Sequence, residues 1–309
     1  MRTRTYHMLL SFIFDLVLKE PRLHPVRAQG LILEKLCRTI DDKNEFVQLF
    51  GGLSVVAVTS LISVVAYRIA ANVLRRIGLS DDVAEAIVLK PNFALKQLLE
   101  AADQAACSVV NNDVNVDEAL KWLVSRSTSG LDVGHKYSAI VESCAENLND
   151  SFIAPFFYYI AFGLPGAVVY RVINTADAMY GYHGQYEWLG KLMACCDDVA
   201  SYIPARITAL LIVVGGAVLL GKDAFVRGVK SIRRFGGATE SPNAGQCISA
   251  MAGVLNIKLE KQGMYSIGQG ELPELSDVNI AIMITFAAAF IFVISVFLLD
   301  AACYFHKIQ

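Results

Sequence analysis

Long uncharged apolar runs alternate with polar stretches along this chain. Residues 278–299 read VNIAIMITFAAAFIFVISVFLL, without a charge and with Asn279 as the most polar member. A helix needs roughly 20 such residues to cross the hydrocarbon of a bilayer, and a soluble helix rarely stays apolar on every face. Residues 51–66 (GGLSVVAVTSLISVVA) and 207–221 (ITALLIVVGGAVLLG) make two further uncharged runs. The first is followed by Arg68, Arg75 and Arg76, the second by Lys222, Arg227, Lys230, Arg233 and Arg234, which places those ends on the cytoplasmic side. Residues 8–18 are apolar but short, with Asp15 in the middle; Arg2 and Arg4 imitate a signal peptide, yet KEPRLHP follows where a small-residue cleavage site would stand, so the segment is read as retained. Residues 151–170 carry Pro155, Gly163, Pro165 and Gly166, the mark of a broken helix that dips into the membrane without crossing.

The predicted fold is therefore all-α: a polytopic helical membrane protein with about four or five membrane segments, one of them re-entrant, and helical polar segments between. The segments fall at 5–18, 50–67, 151–170, 205–221 and 278–299, within a single integral membrane domain over 1–309 that lies multi-pass in the cell membrane. Three- and four-residue apolar spacing predicts short helices in 84–108 and 116–124, with a capped turn over 113–117.

Composition refines this. Of 309 residues 55% are hydrophobic and 18% charged, against about 45–50% and about 25% in soluble domains. A net charge of -2 predicts no nucleic-acid partner. Seven cysteines form no C-x-x-C pair, so neither a disulfide framework nor a zinc site is expected.

Several constellations could carry chemistry. In VESCAENLNDS, Glu142, Glu146 and Asp150 recur every four residues and share one helical face. Such a face is either solvated or, beside a bilayer, a place for a hard divalent cation, which prefers oxygen ligands. Arg171, Asn174 and Asp177 align at spacings of three, and Gly181 ends that helix. Asp197, Asp198 and Arg206 lead into the apolar run at 207, with Pro204 suited to the first turn of that helix; an arginine there can equally snorkel to the interface. Ser241-Pro242-Asn243 marks a turn, Gly245 lets a ligand approach the backbone, and a helix begins by Ile248. His24 and Arg27 form a basic spot fit for phosphate or carboxylate, or for a membrane-flanking loop. The run from Gly216 to Asp223 imitates a P-loop, but Asp223 replaces the hydroxyl residue and no strand precedes it.

The strings HPVR (24–27), LVSRSTSGLD (123–132), VESCAENLNDSFIAPFFYY (141–159), GLPGAVVYRVINTADAMYGY (163–182), DDVASYIPARITALL (197–211) and SPNAGQCISAMAG (241–253) resemble, in the same order, the CobD/CbiB family of adenosylcobinamide-phosphate synthases. The resemblance implies an amide-forming ligase that joins the free carboxylate of adenosylcobyric acid to the amine of 1-amino-2-propanol phosphate, consuming ATP with Mg²⁺. The family's patterned positions fall on His24, Arg27, Arg126, Glu142, Glu146, Asn147, Asp150, Asn174, Asp177, Asp198, Arg206 and Asn243. On that footing Glu142, Glu146 and Asp150 are expected around the metal, and Arg126 and Arg206 on phosphates. Asp177 or Asp198 is expected to be the base, with His24, Arg27, Asn147, Asn174, Ser241, Asn243 and Gly245 binding substrate. The chain departs from the family at Ser125 and Ser127, where Gly and Asp are usual, at Cys195-Cys196 in place of Ala-Arg, at Ser201 in place of Asn, and at Gln246-Cys247 in place of Trp-Pro. The expected partners are the two substrates, the lipid bilayer and other late corrinoid-pathway membrane proteins. A membrane sensor resembling AmpE and a small-molecule transporter are the competing classes.

Overall fold

The computed structural model describes residues 2–18, 24–111, 113, 116–121, 123–124, 128, 130–184 and 186–308, except the side chains of residues 2 and 304–308. The described residues are helical almost throughout. Three helices are long and apolar enough to cross a membrane: α3 (Glu45–Arg76), α10 (Glu187–Leu220) and α13 (Leu275–Ile308), the last apolar as far as Cys303. They contain the predicted segments 50–67 and 278–299, and all of 205–221 but its last residue, Gly221. At about 1.5 Å per residue each exceeds a hydrocarbon core of about 30 Å.

The chain divides into two compact units. The first holds Met1–Ala94, Ala154–Ser201 and Val296–Gln309. In it α1 (Arg2–Val17) lies against α4 (Asp81–Leu89). Ser11 Oγ donates to the Ala86 carbonyl at 2.8 Å, and Asp15, the charge inside predicted segment 5–18, is buried 3.5 Å from Lys90. An apolar cluster then joins α2 (Pro25–Cys37), α3, α9 (Leu164–Tyr180) and the start of α10 through Leu33, Cys37, Val55, Val56, Val172 and Met193. The contact is close because Gly190 has no side chain: a Cβ there would fall 1.7 Å from the Tyr180 carbonyl oxygen.

Predicted segment 151–170 is a helix broken twice. A π-helical turn at Asn149–Ile153 precedes α8 (Ala154–Phe162). Pro155 explains the widened turn, since it has no N–H to return to the carbonyl four residues earlier. Gly163, at φ 73, then breaks the chain into α9, and α9 folds back so that the Tyr158 and Tyr170 rings stack at 5.3 Å. A straight helix would hold those residues about 18 Å apart. Pro204 is not in a first turn as expected; it lies inside α10, which starts 17 residues earlier, at Glu187. The carbonyl that Pro204 leaves without its helical donor belongs to Ala200, and it accepts the Tyr158 hydroxyl at 3.0 Å.

The second unit holds Leu95–Ile153 and Tyr202–Ser295. It comprises α5 (Leu95–Val110), α6 (Val116–Leu120), α7 (Val133–Leu148), α11 (Lys222–Phe235) and α12 (Ala244–Leu255) besides its parts of α10 and α13. The short helices predicted in 84–108 are α4 and α5, parted at Lys90–Asn92 by Pro91; of the predicted turn over 113–117, residues 114 and 115 lie outside the described residues. A β-hairpin interrupts the helical pattern: β1 (Lys258–Lys261) pairs antiparallel with β2 (Tyr265–Gly268), Leu259 opposite Ile267, both buried.

Asp132 caps α7, its Oδ1 accepting the His135 N–H at 2.9 Å. That bond, with the His135 ring, holds the Asp132 carboxyl below the usual carboxylate range. Asp132→Ala is expected to cost about 1 kcal/mol at neutral pH. The contribution is full above the unfolded pKa of about 3.9 and fades as pH falls through the lower folded value. Denaturant unfolding of both proteins near neutrality and in acid checks this; a gap unchanged in acid contradicts it.

Candidate functional site

In the second unit three of the motifs meet. α10 presents Arg206 toward the turn before α12. Its Nη1 donates to the Asn243 Oδ1 and, at 2.9 Å, to the Tyr202 carbonyl; its Nη2 donates to the Pro242 carbonyl at 3.2 Å. The guanidinium also lies over the Tyr202 ring, 3.6 Å from its centre. Ser241 Oγ accepts the Asn243 N–H at 3.3 Å, closing the turn from within. Two residues past Arg206, Thr208 donates to the Asn149 Oδ1 at 3.1 Å, and Asn149 donates in turn to the Asp150 carboxylate at 2.8 Å. Cys247, in the first turn of α12, is bonded to the Ala205 carbonyl at 3.6 Å. α12 is too short to cross a membrane. Burial pushes the Cys247 thiol up, and the charges of Asp150 and Glu146 add to this while Arg206 opposes them. Glu146, Asp150, Arg206 and Asn243 therefore share one neighbourhood.

Glu142 is bonded to residues outside that group. It is buried, and its two oxygens accept the Ser138 hydroxyl at 2.7 Å and the Tyr265 hydroxyl at 2.7 Å, tying α7 to β2. The π-helical turn moves Asp150 off the α-helical register that spacing alone assumed. Among the described residues, no three His, Cys, Asp or Glu side chains gather closely enough to hold a metal ion. Glu146 and Asp150 still suit Mg²⁺, which is commonly held by one or two carboxylates with waters and substrate phosphates completing the shell. Asn147 is braced by Ser143, to whose hydroxyl its amide donates at 2.9 Å. Gly245 is buried, and a Cβ there would come 2.7 Å from the Gly236 carbonyl oxygen. Its missing side chain admits the chain's own backbone rather than a ligand.

The first unit holds a second polar group. Arg171, buried on α9, donates from Nε and Nη2 to the Asn92 carbonyl and from Nη1 to Asn174 Oδ1 at 3.1 Å. Asn174 donates to Asp197 at 3.3 Å, and Ser201, paired with the Tyr170 hydroxyl at 3.0 Å, donates to the other Asp197 oxygen at 3.4 Å. Asp177 and Asp198 are half-buried on α9 and α10. A Cβ on Gly181 would lie 2.0 Å from Asp177 Oδ1, so the helix end is glycine for space. His24 caps α2 through Nδ1, 3.3 Å from the Val26 N–H, and Arg27 is exposed one turn on. Arg126 lies outside the described residues.

Sequence reasoning missed Tyr265, Ser138, Thr208 and Asn92. The alternation of Leu259, Tyr265 and Ile267 about Gly263 was the one local signal for the hairpin.

These features define a predominantly helical protein with membrane-length apolar helices and polar motif residues gathered against them. The chain belongs to the CobD/Cbib protein family, whose model matches residues 8–296. It is 35% identical to the probable cobalamin biosynthesis protein CobD of Methanococcus aeolicus, over 86% of this chain and 88% of that one. It is 36% identical to the protein of the same name from Pyrococcus abyssi, over 88% of each. It is also 35% identical to the cobalamin biosynthesis protein CobD of Dehalococcoides mccartyi, over 86% and 87%. No solved structure matches the chain.

Removing the Arg206 partner with Asn243→Ala is expected to loosen the 241–243 turn while the rest of the fold persists. Amide hydrogen exchange over 241–247 then rises at least about tenfold, one broken buried bond to a charged group being worth about 1.5–3 kcal/mol. Unchanged protection there contradicts the clamp.

Proposed function

We propose that this protein is an adenosylcobinamide-phosphate synthase of cobalamin biosynthesis, an ATP-dependent ligase in the cell membrane with several passes through it. It joins adenosylcobyric acid to (R)-1-amino-2-propanol O-2-phosphate. The observation that carries the reading is the gathering of Glu146, Asp150, Arg206 and Asn243, drawn from three separate motifs, in a chain whose relatives are named for cobalamin biosynthesis.

A carboxylate must be activated before an amine can displace an oxygen from it. In the proposed route a carboxylate oxygen of adenosylcobyric acid attacks the γ-phosphorus of ATP, and ADP leaves with the bridging oxygen. The amine then attacks the acyl carbon of the acyl phosphate, inorganic phosphate departs with the C–O electron pair, and the ammonium proton passes to Asp177 or Asp198 as base. Mg²⁺, when bound by Glu146 and Asp150, supplies charge neutralisation for the phosphates. Arg206 has five N–H donors, of which three are engaged. Nε–H and one Nη2–H remain to bear transferring phosphate charge, a task shared with Arg126. Ser241 and Asn243 shape the turn beside it, and Asn147, Asn174, His24 and Arg27 serve substrate binding. Other late corrinoid-pathway membrane proteins are its proposed neighbours in the bilayer.

The test is amide formation by the purified protein in detergent, given adenosylcobyric acid, ATP, Mg²⁺ and aminopropanol phosphate. Turnover is expected; uptake or binding without turnover would select a transporter or a sensor instead. In the same assay Glu146→Gln and Asp150→Asn are expected to raise the Mg²⁺ needed for half-maximal rate at least about tenfold, the loss of one charged ligand. Glu142→Gln, which keeps both hydroxyl partners, is expected to leave that requirement unchanged. A shift with Glu142→Gln alone contradicts the assignment.

A further inference from the structure

Helix α3 carries a row of buried polar atoms that no described residue satisfies. Among the described residues, Thr59 Oγ1, Ser60 Oγ, Ser63 Oγ and Tyr67 Oη have no hydrogen-bond partner; neither do both amide atoms of Gln29 on α2 or the Oδ1 of Asn92. These residues are all less than a tenth exposed. Helix hydroxyls elsewhere bond back to the preceding turn, as Ser54 does to Phe50 at 2.9 Å, Thr175 to Arg171 at 2.7 Å and Thr285 to Ala281 at 2.8 Å. Thr59, Ser60 and Ser63 do not, so their hydroxyls are left for something else. Buried polar groups are almost always paired, and those that are not call for a water or a ligand.

The unpaired atoms converge. α2, α3 and α9 pack on one another, and α2 and α3 run in opposite directions, since Gly51 lies against Ile40 beside their connection and Leu33, farther back, shares a cluster with Val55 and Val56, farther on. The apolar cluster they share includes Leu33 of α2, Val55 and Val56 of α3, and Val172 of α9. Gln29 lies one turn beyond Leu33, and Thr59 and Ser60 lie one turn beyond Val55 and Val56, on the same side of that cluster. Arg171 precedes Val172, interacts with the Tyr67 ring electrostatically, and is bonded to Asn92. The seat thus sits partway along a helix long enough to cross a membrane, where unpaired polar groups are costly and mark ligand paths.

The chemistry of the atoms narrows the occupant. Gln29 offers one donor and one acceptor group whichever way its amide is turned, and Asn92 Oδ1 is an acceptor. An oxyanion would leave those acceptors facing its own oxygens. A primary carboxamide, with two donors and an acceptor, matches the set. We propose that Gln29, Thr59, Ser63, Tyr67 and Asn92, spread over about 12 Å of α3 and its neighbours, form a seat for a ligand group that bears more than one carboxamide. Resting on the function proposed above, that group is the amide-bearing rim of the corrinoid substrate.

The experiment measures equilibrium binding to the full-length protein in detergent, without turnover, of two probes: cobyric acid by its corrinoid absorbance, and radiolabelled aminopropanol phosphate. Thr59→Val, Ser63→Ala and Gln29→Met are compared with the parent. Each removed hydroxyl or amide has no partner among the described residues, so the variants are expected to melt no lower than the parent. Each is expected to weaken cobyric acid about tenfold, the order of one buried hydrogen bond, and to leave aminopropanol phosphate unchanged. Unchanged cobyric acid binding would mean that only interior water meets these atoms and would overturn the seat. Loss of aminopropanol phosphate affinity instead would mark an oxyanion site and also overturn it. If the parent binds cobyric acid but forms no amide, the ligase reading falls while the seat still stands or falls by its variants.

Discussion

The hydrogen bonds from the Arg206 guanidinium to Asn243 and to the Pro242 carbonyl are the contacts on which the second unit's polar cluster depends. A cation beside apolar helices is costly unless its donors are met, and here the turn entering α12 meets them through Pro242 and Asn243. Fixing that turn fixes the start of α12, and with it Cys247, which feels the charges of Asp150 and Glu146. The same helix that carries Arg206 reaches Asn149 through Thr208 and so holds the acid-bearing turn. Two residues within one turn of α10, Arg206 and Thr208, thus position one basic and one acidic element relative to each other.

Proline shapes both ends of this arrangement. Pro155 follows the π-helical turn that carries Asp150, and Pro204 lies one turn before Thr208. In each case a carbonyl loses its helical donor. At Ala200 the Tyr158 hydroxyl supplies the replacement. Backbone irregularity at such places is tolerated only where other groups satisfy it, and both irregularities adjoin residues of the family motifs.

Much of the fold was legible because it is local. Three apolar runs gave the three long helices, and Asn44, Ser80 and Asp132 are ordinary N-caps. The full length of α10 was not legible, because Pro204 reads as a start and the helix before it is amphipathic rather than apolar. The hairpin at 258–268 escaped notice because its strands are four residues long and are held by long-range contacts to Ser138 and Glu142. For the candidate site, spacing and resemblance singled out Glu142, Glu146 and Asp150 together. They could not tell that Glu142 turns to a tyrosine more than a hundred residues away, or that Asp197 rather than Asp198 takes the bonds of Asn174 and Ser201. Types and order of residues are written locally; partners are set by packing.

In the proposed chemistry Arg206 and Asn243 act as one unit. A double-mutant cycle on the rate of amide formation, with Arg206→Ala, Asn243→Ala and the pair, measures this most directly. Coupling of about 1–3 kcal/mol, with the double variant hardly worse than Arg206→Ala alone, is the predicted result. Losses that simply add, or an Asn243→Ala protein as active as the parent, would contradict it.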